Sequence, residues 1–152
     1  MIPNTKIFCY EPTTNAIKLL HANISLNCLG KNIQIINKAI SNAKREITAE
    51  GEKITTIPFA DVVTELKHIH LLKMDIEGIE FDIILNASYD ILSNIDFITM
   101  ELHTSYESKK YFLIVKYLEE AGFYVKSSFH KLAVGYLYAV RSEIMATDKL
   151  NQ

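Results

Sequence analysis

Three groups of polar residues in this sequence stand where an α/β fold concentrates its chemistry, directly after short apolar segments. They are Glu11, the run Asp75-Ile76-Glu77-Gly78-Ile79-Glu80, and the pair Glu101 and His103. Ligands of open α/β sheets bind beyond the carboxyl ends of the parallel strands. If the apolar segments are strands of one such sheet, all three groups lie along the edge where a ligand is expected.

The run after residues 69–74 carries the most acidic charge. In an extended backbone Asp75 and Glu77 project to the same side, and two carboxylates so close repel unless a cation, a proton or a ligand donor accompanies them. Gly78 permits a sharp turn into a helix, where Glu80 suits the first turn. We predict that Asp75 and Glu77 serve a site and that Glu80 begins a helix. The structural alternative is that Lys73 balances the two acids.

The other two groups each allow a functional and a structural interpretation. Glu101 and His103 share a face, and a histidine there can act as a general base near neutral pH. The alternative is that His103 caps the strand or the next helix. Glu11 can accept hydrogen bonds from a ribose diol, as a strand-end acid does in nucleotide-binding folds. The alternative is a solvated turn residue before Pro12.

Other candidate ligands for metals are weaker. His68 and His70 share a face, but they come at the amino end of residues 69–74, away from the expected ligand edge. We predict no metal role for them. Cys9 and Cys28 lack CxxC spacing, so we predict reduced packing residues.

Length and composition indicate what kind of protein positions these residues. The chain has 152 residues, of which 49% are hydrophobic and 22% charged, so one globular domain over residues 1–152 is expected. A net charge of −2 without a basic block argues against nucleic acid or an anionic membrane as partner. We predict a cytoplasmic protein.

Short apolar runs alternate with helical periodicity, which predicts an α/β fold. The predicted strands cover residues 6–10, 33–36, 69–74, 97–102, 123–127 and 134–140, with a hairpin over 46–58. The predicted helices cover residues 14–28, 60–67, 80–92 and 108–121, and the last ten residues are predicted to be a polar tail. Residues 69–74 are almost continuously apolar, which is typical of a central strand covered on both faces. We expect an open, mostly parallel sheet that ends in an antiparallel hairpin.

The order of these features resembles the FkbM family of S-adenosylmethionine (SAM)-dependent methyltransferases, which have a Rossmann-like fold. The resemblance covers residues 6–140, and the stretch from Asp75 to Glu80 is its most specific part. It also includes Glu11-Pro12, Lys38-Ala39-Ile40-Ser41 and Met100-Glu101-Leu102-His103.

The resemblance implies a role for each group and an activity. The cofactor side would consist of Glu11 at the SAM ribose, Ala39 and Ile40 near the adenine, and Asp75. The catalytic side would consist of Asp75 and Glu77 facing the methyl-transfer region and Glu101 and His103 lining the acceptor. The base would be His103, or Asp75 acting with Glu77. The implied reaction is O-methylation of a hydroxyl on a small molecule or saccharide.

The sequence departs from the family at its start. In FkbM proteins a strand with a glycine-rich turn, and a helix, precede the Glu-Pro strand. Here five residues precede Lys6 and no GxG occurs. That turn brings backbone amides close to the methionine part of SAM, an approach that glycine permits. We therefore expect an N-terminally incomplete domain in which the first strand and helix are missing.

Two competing hypotheses remain open. One is a catalytically inactive methyltransferase-like module for binding or assembly, which forms a homo-oligomer. The other is a divalent metal ion held by Asp75, Glu77, Glu101 and His103 that performs an unrelated hydrolysis.

Overall fold

The computed structural model describes residues 5–49, 51–104, 107–129 and 135–150. The chain forms two compact units, Met1–Pro58 and Phe59–Gln152. Helices and strands alternate in both units, which confirms the predicted α/β class. Among the described residues, no helix is long and apolar enough to cross a membrane.

The first unit is built from short strands around one helix. Its elements are β1 (Ile7–Tyr10), α1 (Thr14–Leu26), β2 (Ile33–Ile36), β3 (Ala39–Ser41), β4 (Glu46–Ala49) and β5 (Glu52–Pro58). β1 and β2 pair in parallel, with α1 as the crossover between them. β5 pairs antiparallel with β4, as the predicted hairpin requires, and parallel with β3. β3 was not predicted, because three residues are too few to show a strand's alternation.

The second unit is a four-stranded sheet with helices. Its elements are α2 (Phe59–Leu66), β6 (Ile69–Met74), α3 (Glu80–Asn86), α4 (Tyr89–Leu92), β7 (Ile95–Leu102), α5 (Lys109–Glu120), β8 (Phe123–Phe129), β9 (Gly135–Arg141) and α6 (Ser142–Leu150). The strand order is β6-β7-β9-β8. β6 and β7 are parallel and the other pairs are antiparallel, so the predicted terminal hairpin is confirmed.

The core of the second unit lies on one face of this sheet. Its least exposed strand residues alternate along β7 and β9, and α5 presents apolar residues one turn apart toward them. These residues, each at most 1% exposed, are Ile98, Met100, Leu102, Leu137, Ile114 and Leu118. Each such side chain contributes about 1.5–3 kcal/mol by leaving water. This core anchors the strands whose ends carry the candidate site.

Residues 69–74 do not form a central strand covered on both faces. β6 is an end strand, bonded among the described residues only to β7. Leu71 is 63% exposed, and Met74 alone in β6 is buried. The prediction was wrong because an apolar run records a strand's preference for burial but not which neighbours it has.

Two further expectations need correction. The described strands form three separate sheets instead of one mostly parallel sheet. The predicted polar tail contains α6, which begins directly after β9 and carries Glu143 in its first turn, where the helix dipole favours an acid.

Both cysteines are free, as predicted, and burial raises the pKa of the half-buried Cys9 thiol. Cys28 is exposed, so the packing role does not apply to it.

Arg141 at the end of β9 joins several elements of the second unit. Its guanidinium donates hydrogen bonds to the carbonyl oxygens of Leu92, Ile95 and Ala121. It also lies 4.4 Å from the centroid of the Phe123 ring. Burial lowers the pKa of this guanidinium, but an arginine stays charged at neutral pH.

We expect Arg141→Met to lower the free energy of unfolding by about 2–4 kcal/mol, because three carbonyl groups lose a charged donor. Urea denaturation measures this difference. Lys126→Met is the matched control, since Lys126 also lies over an aromatic ring, 5.6 Å from the Tyr124 centroid, but is exposed. The control should cost less than about 1 kcal/mol. Equal losses in the two variants would contradict the role given to the carbonyl bonds.

Candidate functional site

The candidate site in the second unit is built on the turn between β6 and α3. β6 ends at Met74, and α3 begins at Glu80. Within the turn Glu77 has φ 56° and Gly78 has φ 95°. Glycine adopts this left-handed backbone freely, whereas a residue with a Cβ does so at a cost of about 1–2 kcal/mol. The chain therefore turns at Glu77. The extended backbone from which a common side for Asp75 and Glu77 was expected is not present at this residue.

Glu80 begins α3 as predicted, but its side chain is 0% exposed. Its Oε1 atom accepts a hydrogen bond from the backbone N–H of Ile76 at 2.9 Å, which ties the turn to the helix. The same oxygen lies 3.5 Å from Nδ1 of His103. Within the described part of the chain, Glu80 Oε2 and His103 Nδ1 are buried without a hydrogen-bond partner.

His103 lies between a buried acid and an exposed one. While Nδ1 faces Glu80, its Nε2 atom lies 3.6 Å from Oε2 of Glu77, whose side chain is 88% exposed. In an acid–histidine catalytic pair a carboxylate orients the imidazole through one nitrogen and leaves the other nitrogen to a substrate. Here Glu80 lies beside Nδ1 without a hydrogen bond to it, and Nε2 lies beside Glu77. The predicted grouping of Glu77 with His103 is present in the structure.

Asp75 completes this group. Ligand atoms of Asp75, Glu77 and His103 all lie within 4.8 Å of one another. Asp75 also forms an ion pair with Lys73, with 3.2 Å between Nζ and Oδ2, and both side chains are substantially exposed. The structural alternative, in which Lys73 balances the charge of the acids, therefore holds for Asp75. An exposed pair of this kind contributes at most about 1 kcal/mol, so it does not account for the whole cluster.

Glu101 is placed differently. It lies within β7, half-buried, opposite Tyr136 in the register of β7 and β9. The group of close ligand atoms among the described residues does not include it. Its acceptor-side role stays a prediction.

The cofactor-side residues of the first unit are also located. Glu11 follows β1, and its Oε1 atom accepts hydrogen bonds from the backbone N–H and the hydroxyl of Thr13, each at 2.8 Å. These bonds orient the carboxylate before α1. Ala39 and Ile40 lie inside β3, paired with Thr56 and Ile57 of β5, and not in a loop after a strand. Their roles, like that of Glu11, stay predictions.

Glu80 is the site residue that sequence reasoning assigned to structure alone. An acid in the first turn of a helix is expected at almost any helix start, because the dipole favours it there. Neither its burial nor its contact with His103 can be read from local spacing, since 23 positions separate the two residues.

Comparison with known families identifies the domain. The family model described as the methyltransferase FkbM domain matches residues 6–125. The chain belongs to this family. The resemblance seen in the sequence is thereby confirmed, and SAM is the methyl donor that methyltransferases of this kind generally use. A comparison with curated protein sequences gives no significant match.

Solved structures similar to this FkbM domain are methyltransferases. The FkbM methyltransferase from Methylobacillus flagellatus KT has a TM-score of 0.62 at 14% identity, over 88% of this chain and 36% of that one. A METTL16 methyltransferase domain has a TM-score of 0.55 at 13% identity, over 90% and 62%. Human methyltransferase 10 domain containing protein has a TM-score of 0.53 at 11% identity, over 93% and 63%. At such identities the likeness shows the fold. By these coverages, the chain spans less than two thirds of the length of each of the three proteins.

Proposed function

We propose that this FkbM domain takes part in SAM-dependent O-methylation of a hydroxyl group on a small molecule or saccharide. The observation that carries the proposal is His103, whose imidazole lies between the buried Glu80 and the exposed Glu77 at the end of two parallel strands. Methyl transfer to an alcohol needs a base that removes the hydroxyl proton, and a histidine so oriented supplies one.

The roles of the individual residues follow from their contacts. Glu80 Oε1 lies 3.5 Å from Nδ1 of His103 and would accept the Nδ1 proton if the two groups closed to hydrogen-bond distance, which would leave the lone pair of Nε2 to take the proton of the acceptor hydroxyl. Glu77 and Asp75 place carboxylate oxygens beside the imidazole, since ligand atoms of the three residues lie within 4.8 Å of one another. Glu77 is exposed and close to Nε2, so it also suits a hydrogen bond to a hydroxyl of the acceptor.

SAM, when bound, supplies an electrophilic methyl group. In the first unit Glu11 fits the ribose, because Thr13 holds one carboxylate oxygen and the other oxygen suits a ribose hydroxyl. The sequence has no glycine-rich turn for the methionine part, and we assign no residue to that role.

We expect the protein to bind SAM and S-adenosylhomocysteine saturably in isothermal titration calorimetry. With methyl-labelled SAM and a panel of saccharides and small alcohols, label should enter a product that resists mild alkali, because an ether does and an ester does not. Absence of binding heat, together with absence of a copurified nucleoside by mass spectrometry, would contradict methyl transfer by this chain.

A second candidate function, assembly or binding, is favoured by the open edge of β6. Among the described residues β6 has a strand neighbour on one side only, and unpaired strand edges tend to pair with other chains. Leu71 and Phe97 are paired in register on the exposed face, at 63% and 41% exposure. A homodimer by light scattering, with no SAM binding, would favour this function; a monomer would exclude a homo-oligomer as its basis.

A further inference from the structure

A second cluster of potential ligands lies at the opposite end of β6 from the Asp75 turn. It consists of His68, His70 and Asp96. His70 and Asp75 are five positions apart in the sequence, which in a strand corresponds to about 16 Å. The cluster is therefore separate from the candidate methyl-transfer site.

The fold brings these three residues together. α2 ends just before Lys67, whose left-handed backbone (φ 64°) turns the chain into β6. His68 directly precedes β6 and His70 is its second residue, so both project to the same side. The parallel register of β6 with β7 places Asp96 beside His70. Three neighbouring backbone positions thus hold the three side chains.

The distances between the side chains are short. Nε2 of His68 lies 3.0 Å from Oδ1 of Asp96. The rings of His68 and His70 meet edge to face with 4.6 Å between their centroids. One ligand atom from each residue lies within 4.8 Å of the others. Ligand atoms of a tetrahedral zinc site are about 3.4 Å apart, so a shift of at most about 1.5 Å would complete the geometry.

The side chains have room to make that shift. The His68 side chain is 48% exposed and that of Asp96 is 23% exposed, and His70 is also exposed. An ion pair between one histidine and one acid would account for His68 and Asp96. It gives no reason for a second imidazole packed against the first, so the third donor is what points to a ligand.

We propose that His68, His70 and Asp96 bind one Zn²⁺ ion. Two imidazoles and one carboxylate are ligands that zinc prefers, whereas Mg²⁺ and Ca²⁺ prefer oxygen ligands alone. Three protein ligands leave a fourth position for water or for a ligand from another molecule. No metal role was predicted for the histidines, because they come at the amino end of the strand; the third donor, Asp96, is 28 positions from His68 and comes close only through strand pairing.

Zinc at this position would link the turn after α2 to β6 and β7. β6 is an end strand of its sheet and has a neighbour on one side only among the described residues. A ligand that binds the folded state raises its stability, so zinc is expected to raise the melting temperature. The site is independent of the proposed methyl transfer, and its test needs no acceptor.

The test is calorimetric titration of the untagged protein with ZnCl₂, together with thermal melting. We expect one zinc ion per chain and a higher melting temperature. His70→Ala and Asp96→Asn should each weaken zinc binding by more than about tenfold, because each removes a direct ligand. His21→Ala, an exposed histidine of α1 in the first unit, is the matched control and should bind zinc like the unaltered protein.

Two further measurements keep the result unambiguous. His103→Gln should retain zinc binding, because it alters the other cluster, and MgCl₂ should give no binding heat. The melting temperature of metal-free His70→Ala should equal that of the unaltered protein, since His70 is exposed. Loss of zinc binding in His103→Gln with retention in His70→Ala, or no saturable zinc binding at all, would overturn the proposal.

Discussion

Replacement of Glu80 by alanine is expected to lower the free energy of unfolding by about 2–4 kcal/mol. Glu80 is 0% exposed, and its carboxylate is the acceptor for the N–H of Ile76 at 2.9 Å. Alanine would leave that N–H without its acceptor and open a cavity beside His103. One effect acts in the other direction, since Glu80 Oε2 is buried without a hydrogen-bond partner in the part of the chain that the structure describes, and its removal relieves a desolvation cost. We expect the loss of the acceptor and the cavity to outweigh this relief, and urea denaturation measures the balance.

Glu80→Gln separates the structural role of Glu80 from its role toward His103. Glutamine keeps the shape and an oxygen that accepts from Ile76, so its stability should stay within about 1 kcal/mol of the original. It replaces the carboxylate beside Nδ1 of His103 with an amide, which does not orient the imidazole as a base in the same way, so methyl transfer should still fall by at least about 100-fold. If Glu80→Gln were as unstable as Glu80→Ala, the carboxylate charge and not the backbone hydrogen bond would be what stabilises the turn.

Where local chemistry specifies an element, the sequence predicted its bounds well. The helix predicted over residues 108–121 is α5, whose N-cap Ser108 accepts a hydrogen bond from the N–H of Tyr111. Gly122, with φ 88°, ends it. A capping serine, apolar residues one turn apart and a terminal glycine are all legible in one chain segment. The two strands of the terminal hairpin were also predicted close to their observed bounds, although residues 130–134, which connect them, lie outside the described part.

What the sequence did not predict depends on distant residues. Among the described residues β6 has a strand neighbour on one side only, and its own apolar residues carry no information about which neighbours it has. The close approach of Asp96 to two histidines, and of Glu80 to His103, follows from strand register. Asp75, Glu77 and His103 were grouped correctly because strand ends of parallel neighbours meet at one edge. Glu101 was grouped with them because it shares a strand face with His103; the pairing of β7 with β9 places it opposite Tyr136, and its acceptor-side role stays a prediction.

His103→Gln is expected to reduce the turnover number of methyl transfer by about 10²–10⁴-fold, the usual contribution of a general base. Glutamine retains hydrogen-bonding atoms of similar reach but does not take up a proton at neutral pH. Titration should show SAM affinity within about threefold of the original, because the roles proposed for His103 concern the acceptor. Label transfer from SAM to the acceptor found in the panel measures turnover, and His21→Gln is a control of the same substitution at an exposed position of α1.

The pattern across the variants identifies the base. If Nε2 of His103 takes the proton, His103→Gln and Glu80→Gln act on one unit, so their combination should lose little more activity than His103→Gln alone. If Asp75 with Glu77 is the base instead, His103→Gln should retain most activity, and Asp75→Asn should abolish it.

The backbone at Glu77 offers a further distinction, because its φ of 56° suits glycine. Glu77→Gly should therefore not destabilise the fold, so any activity that it loses belongs to the carboxylate beside His103 and not to the integrity of the turn.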